Sequence, residues 1–209
     1  MTTTRLTLPR KKPESLPFVI GLTGPGGCGK STVANAITWR ALRYGWRRPQ
    51  RIHTGEPLKA MLRAFYLTAG LSPEEAHRRV DGDLKRTPCP LLGRQTPTFA
   101  QQTLGTEWGR EMICPTIWLD VWRRRASAAL QDGLPVINES VRFANEAEEV
   151  RIMGGVVIRL VDRAGDLAQG HASEAGVSAD CDVSNAGTPE ETAEIILRFM
   201  AKRLGIPLP

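Results

Sequence analysis

Residues Gly24-Pro25-Gly26-Gly27-Cys28-Gly29-Lys30-Ser31 follow the pattern G-x-x-x-x-G-K-[ST], and Thr32 comes next. Glycines let a backbone close around a chain of phosphates, so that successive N–H groups point at its oxygens. A helix opening at Lys30 adds the positive end of its dipole. In such a loop Lys30 reaches the β- and γ-phosphates of a nucleotide, and the Ser31 hydroxyl binds Mg²⁺. Gly24, Gly26, Gly27, Cys28, Gly29, Lys30, Ser31 and Thr32 are therefore the expected phosphate cradle. Cys28 holds a variable position of the pattern and reads as a small filler.

The elements around the loop supply the context it needs. Phe18-Val19-Ile20-Gly21-Leu22 is a short apolar run, as in a strand buried on both faces. Residues 30–44 read as a helix with Val33, Ile37 and Ala41 on one face and Gly45 as its stop. A second strand is expected over 51–54. Pro57 then opens a helix carrying Leu58, Met61, Leu62 and Phe65, and Ser72-Pro73-Glu74-Glu75 caps another. Residues 87–97, with prolines and a glycine, read as a loop. Helical patterns resume over 99–113 and over 115–130, where Trp118, Val121, Trp122 and Leu130 are spaced for a core face. Strands are expected at 134–138 and 156–161, with a short helix over 145–153 between them. Residues 162–180, rich in Gly and Ala, read as a mobile lid-like segment. Thr188-Pro189-Glu190-Glu191 caps a last helix with Ile195, Ile196, Phe199 and Met200 on its inner face.

Strands alternating with helices predict an α/β fold, a parallel sheet of about five strands flanked by helices. Residues 1–16, with Arg5, Arg10, Lys11 and Lys12, read as a flexible basic tail, and 17–209 as a single domain. Within it, about 55–131 form a helical region suited to a second substrate. The net charge of +6 favours anionic partners. The four cysteines are scattered, with no C-x-x-C pair, which speaks against a zinc site or disulfide framework and for a reducing cytoplasm. No apolar run approaches the ~18 residues of a membrane span, and no secretory leader is expected. Basic and aromatic residues do not interleave, so no nucleic-acid partner is expected; Arg123-Arg124-Arg125 reads as an exposed helix face. A homodimer stays open.

The P-loop by itself does not separate kinases from GTPases or motor ATPases, but no N-K-x-D or T-K-x-D is present to read guanine. Three further segments resemble the phage-type deoxynucleoside monophosphate kinases of the P-loop nucleoside monophosphate kinase superfamily. These are Leu104-Gly105-Thr106-Glu107-Trp108-Gly109-Arg110, then Val141-Arg142-Phe143-Ala144-Asn145-Glu146-Ala147 with the strand after it, and Glu56-Pro57-Leu58-Lys59. His171-x-Ser173-Glu174 and Ser184-Asn185-x-Gly187-Thr188 extend the likeness toward the C-terminus. More distantly, the chain is similar to dephospho-coenzyme A kinases.

The resemblance implies transfer of a phosphoryl group from ATP, with Mg²⁺, to a deoxynucleoside monophosphate (dNMP), giving ADP and a dNDP in the cytoplasm of a phage host. Acceptor-binding residues would be Lys59, Glu107, Trp108, Arg110 and Arg142. Arg110 is a planar fork suited to clamping a phosphate, and Arg142 follows a strand end, where ligands of open α/β sheets collect. Trp108 could stack on a base or serve the core. Arg163, or else Arg159, would act from the lid on charge developing during transfer. The catalytic set is thus Lys30, Arg142, Arg110 and Arg163. Two departures stand out. Glu139-Ser140 occupies the place where the family has an Asp before V-R-F, so that Glu139, with Ser31, becomes the candidate metal ligand, alongside Glu56. Thr96-Pro97-Thr98 replaces T-P-R, with Arg94 as a substitute cation.

Overall fold

The computed structural model describes residues 17–163, 177–206 and 208. The tail at 1–16, and His171, Ser173 and Glu174 with most of the lid-like segment, lie outside the described residues. Five strands form one sheet, all parallel: β1 (Val19–Thr23), β2 (Gln50–Arg51), β3 (Val136–Asn138), β4 (Val156–Val161) and β5 (Cys181–Ser184), in the order β2-β3-β1-β4-β5. The helices are α1 (Lys30–Arg43), α2 (Glu56–Thr68), α3 (Pro73–Val80), α4 (Pro97–Thr103), α5 (Ile117–Gln131), α6 (Ala144–Ile152) and α7 (Pro189–Leu204). The expected fold class is the observed one.

Strand side chains alternate between faces, and here the two faces feed separate cores. Phe18, Ile20 and Leu22 pack with Val33, Ile37 and Ala41 of α1 and Ile196, Leu197 and Met200 of α7. Val19 points the other way, joining Leu119 and Trp122 of α5, Val150 of α6 and Val141. A third cluster, Leu62, Tyr66, Ala76, Val80 and Cys89, holds the helical excursion between β2 and β3 together.

The helices leave some of their apolar residues exposed, which on α5 and α7 corrects the expected core face. The inner row of α2 is Leu58, Leu62 and Tyr66, at i, i+4 and i+8, while Met61 and Phe65 face solvent. Likewise α7 buries Ala193, Ile196, Leu197, Met200 and Ala201, and exposes Ile195 and Phe199. On α5, Leu119 is buried and Val121 is exposed. In each case hydrophobicity marked a stripe wider than the face that the sheet or its neighbour covers. The second strand is shorter than expected, and the 87–97 loop contains a 3-10 turn at Pro90–Leu92. β5 was not located by pattern, because only Val183 of its four residues is buried.

The region expected as one helix over 99–113 changes its winding. α4 runs to Thr103, and Leu104–Ile113 continues as a π-helix. Within this run Gly109 lies against Trp118, whose ring atoms would stand 2.5 Å from a Cβ placed there. The Trp118 indole N–H donates to the carbonyl oxygen of Gly105 at 2.8 Å. π-Helical turns leave backbone groups to find partners outside the ladder, and they gather at functional sites.

Candidate functional site

The chain leaves β1 toward β2 and β3 on one side, then crosses to β4 and β5 on the other. Ligands of open parallel sheets settle outside the carboxyl ends of the strands at such a reversal. There the P-loop follows β1, Thr54 and Gly55 follow β2, Ser140 and Arg142 follow β3, Arg163 follows β4 and Asn185 follows β5.

The P-loop is built as its glycines require. Gly24, Gly27 and Gly29 have φ of 139°, 78° and 93°, and Gly29 is the N-cap of α1. Lys30 Nζ donates to the carbonyl oxygens of Gly24 (2.8 Å) and Pro25 (2.7 Å), so the lysine lies along the loop. Ser31 and Thr32 are exposed in the first turn of α1, which carries no acidic residue to oppose an anion. Cys28 is buried, consistent with filling. Its carbonyl oxygen accepts from Nδ2 of the fully buried Asn185 at 2.7 Å, and Asn185 Oδ1 accepts from Thr192 of α7. Arg163 crosses the same point, its guanidinium 3.4 Å from a Cβ placed on Gly29. Arg159, by contrast, is bound along the sheet to the Val177 carbonyl and lies near Asp182.

A separate cavity of about 190 Å³ opens beside the strand ends, between the sheet and the helical excursion. Lys59, Arg110 and Arg142 all line it, with Gln101, Gln102 and Phe143 among the other walls. Glu107 and Trp108 do not. Glu107 is exposed, and Trp108 rests against Trp118, ring centroids 6.1 Å apart. Lys59 Nζ pairs with Asp81 at 2.6 Å, which also takes Arg63. Burial pushes the Asp81 carboxyl up, but Lys59 and Arg63 outweigh it and hold it below its usual range. Arg110 pairs with Glu146 at 2.6 Å and lies over the Phe143 ring, 3.9 Å from its centroid. Burial opposes charge on both partners. The carboxylate is nevertheless the form the geometry demands, since both its oxygens accept N–H bonds.

The candidate carboxylates for a metal are engaged. Glu139 is buried and receives Arg51 through Nε (2.8 Å) and Nη2 (2.5 Å), with His53 Nε2 at 3.2 Å. Burial pushes its carboxyl up, but His53 and Arg51 together hold it down at about 2. Glu56 pairs with Arg125 of α5. Arg123 is likewise taken by Asp120 and Glu149, so two of the three arginines of that run neutralise carboxylates. Among the described residues no group of three His, Cys, Asp or Glu side chains could hold a metal by itself.

At the end of β3, Asn138 Oδ1 accepts from the amide and hydroxyl of Ser140, and Asn138 Nδ2 donates to Thr54. This neutral network fixes two strand ends where the resemblance led us to expect a carboxylate. Arg94 is exposed and outside the cavity lining, while Thr98 is part of it. Sequence reasoning placed Trp118 in the core only, and named no site role for Asn185, Phe143, Gln102 or Glu146. The acidic residue four positions after Arg142 was the signal available for the last of these.

No protein-family profile matches the chain, and no curated protein sequence does. Among solved structures it is similar to the Mycobacterium tuberculosis APS kinase in complex with AMPPNP and APS, with a TM-score of 0.47 and 15% identity over 88% of this chain and 98% of that one. A gluconokinase from Sinorhizobium meliloti gives 0.41 and 17%, over 90% and 96%. Shikimate kinase from Bacteroides thetaiotaomicron gives 0.40 and 12%, over 90% and 99%. No helix among the described residues is long and apolar enough to cross a membrane.

Proposed function

We propose that this protein is a P-loop kinase of the nucleoside monophosphate kinase type, transferring the γ-phosphoryl group of ATP to a dNMP to give ADP and a dNDP. One observation carries the reading: a loop of the G-x-x-x-x-G-K-[ST] pattern and a separate cavity lined by Lys59, Arg110 and Arg142 open on the same carboxyl edge of one sheet. A hydrolase needs only the first, whereas a kinase for an anionic acceptor needs both.

In this scheme the loop amides and Lys30 hold the phosphates of ATP, which requires Lys30 to exchange the Gly24 and Pro25 carbonyls for phosphate oxygens. Ser31 binds the Mg²⁺ carried on those phosphates, and the ion draws charge from the β- and γ-oxygens. Arg110 and Arg142 receive the acceptor's phosphate, and Glu107 and Trp108 support that region from outside the cavity. Arg163, beside the N-cap of α1, is placed to meet charge on the transferring group. Glu139 remains a proposed metal support only through a water, since its oxygens are held by Arg51 and His53. Transfer is in line, with catalysis by positioning and electrostatics and no covalent enzyme intermediate. Action in the cytoplasm of a phage host, and a homodimer, belong to this proposal.

The test is ADP release from ATP and Mg²⁺ with each dNMP, each ribonucleotide monophosphate and dephospho-coenzyme A in turn. Turnover dependent on particular dNMPs is the expected result. Turnover only with dephospho-coenzyme A or another acceptor would replace the substrate. ATP hydrolysis indifferent to every acceptor, together with salt-sensitive affinity for DNA or RNA, would replace the class.

A further inference from the structure

Glu146 lies at the start of α6, is 3% exposed, and forms part of the wall of the cavity that Lys59, Arg110 and Arg142 also line. A carboxylate beside a phosphate site is unfavourable unless its charge is used, because it repels the ligand and costs desolvation. Here it is used twice. Glu146 Oε1 accepts from Arg110 Nη2 at 2.6 Å, across 36 residues of sequence. Glu146 Oε2 accepts from the backbone N–H of Arg142 at 2.8 Å and of Phe143 at 3.3 Å. One carboxylate therefore ties the side chain of one acceptor-facing arginine to the backbone of the other.

The remaining contacts complete the clamp. The Phe143 ring covers one face of the Arg110 guanidinium, and the Pro115 carbonyl accepts from Nη1 at 3.1 Å. With one face stacked and two donors occupied, the planar group keeps a single orientation, and its other N–H groups are left for the cavity. An arginine loses much rotamer freedom when it fixes a ligand. Fixing it beforehand removes that cost from binding.

We propose that Glu146 is a positioning residue that sets the spacing and orientation of Arg110 and Arg142 for the phosphate of the acceptor. This rests on the kinase reading above and extends it to a residue whose two carboxylate oxygens are already taken by Arg110, Arg142 and Phe143. The competing explanation is local: Glu146 is the N3 residue of α6, accepts from the N–H of the N-cap Phe143, and would serve α6 alone.

The two differ in what Glu146→Gln does. The amide keeps an oxygen for the Arg142 and Phe143 N–H groups but loses the charge that holds Arg110. Four proteins are compared: wild type, Glu146→Gln, Arg110→Ala and the double variant, each with melting curves and with KM for dNMP and for ATP. Positioning predicts that Glu146→Gln raises the dNMP KM by about tenfold and leaves the ATP KM within about twofold. In the Arg110→Ala background the same substitution should change the dNMP KM by less than about twofold, because the group it positions is gone. A local cap predicts a lowered melting temperature with both KM values unmoved, or an effect on the dNMP KM that persists without Arg110; either result overturns the proposal. If wild type turns over no dNMP, the kinase assignment falls by itself. The inference is then decided by calorimetric titration of dNMPs and inorganic phosphate, with the P-loop saturated by a non-hydrolysable ATP analogue. Weaker binding to Glu146→Gln than to wild type supports it, and no binding to wild type overturns it.

Discussion

At the scale of single residues, the side chains of this site differ in what their charge already does. Lys30 neutralises carbonyl dipoles of its own loop, so a nucleotide bound as proposed would have to replace those contacts with stronger ones to phosphate oxygens. Lys30→Ala should therefore fold normally and lose turnover by at least about a hundredfold, measured as acceptor-dependent ADP release beside an unchanged circular dichroism spectrum. Glu139 serves the fold differently. Its carboxyl is held at about 2, well below the usual 4.5, by His53 and Arg51 against the effect of burial. A group with a depressed folded pKa stabilises the protein fully above its unfolded value. That contribution is lost as pH falls from about 4.5 through about 2. Glu139→Gln should cost on the order of 2–4 kcal/mol at pH 7. In urea titrations the gap between variant and wild type should shrink steadily below pH 4.5. A gap independent of pH would show that the ion pair is not its source.

Among the elements, the π-helical run ties the cavity to the core. Trp118 occupies the space that a side chain at position 109 would fill, and its indole takes up the Gly105 carbonyl. Gly109→Ala forces overpacking, which costs about 1–3 kcal/mol and rotates the run that carries Arg110. It should lower the melting temperature and raise the acceptor KM together, whereas a surface position on the same run, Glu111→Ala, should do neither. Helix starts offer a simpler comparison. Ser72 accepts from the Glu75 N–H and Thr188 from the Glu191 N–H. Replacing either cap by alanine should cost about 1 kcal/mol. Thr188→Ala should also weaken ATP binding, because α7 anchors Asn185 and, through it, the P-loop.

For the molecule as a whole, the strand order places five loops at one edge. Binding there acts on the global equilibrium. A nucleotide present at about a hundred times its dissociation constant adds about 2.7 kcal/mol to the folded state. ATP with Mg²⁺ should therefore raise the melting temperature by several degrees, and Lys30→Ala should remove most of that rise. Arg123 and Arg125 are bound to Glu149 and Glu56, so the basic run on α5 should give no tight, salt-sensitive binding to DNA in a fluorescence titration.

What the sequence determined by itself was local. The P-loop, α1 with its buried Val33, Ile37 and Ala41, the caps at Ser72 and Thr188, and the apolar strands β1, β3 and β4 are each specified by neighbours along the chain. A turn, a cap or a buried strand is settled by residues within a few positions of one another. The assignment of an α/β fold followed from their alternation. What the tertiary structure decided depended on packing between distant segments. Met61, Phe65, Ile195 and Phe199 match an inward stripe in composition, yet only the neighbouring surface determines which part of a stripe is covered. β5 contributes a single buried side chain, and it is a strand because β4 offers it a hydrogen-bonding edge. Lys59, Arg110 and Arg142 stand on three segments, and nothing in their own surroundings says that they share a cavity. The sharing comes from the return of the helical excursion to β3, and from one buried carboxylate that reaches two of those segments at once.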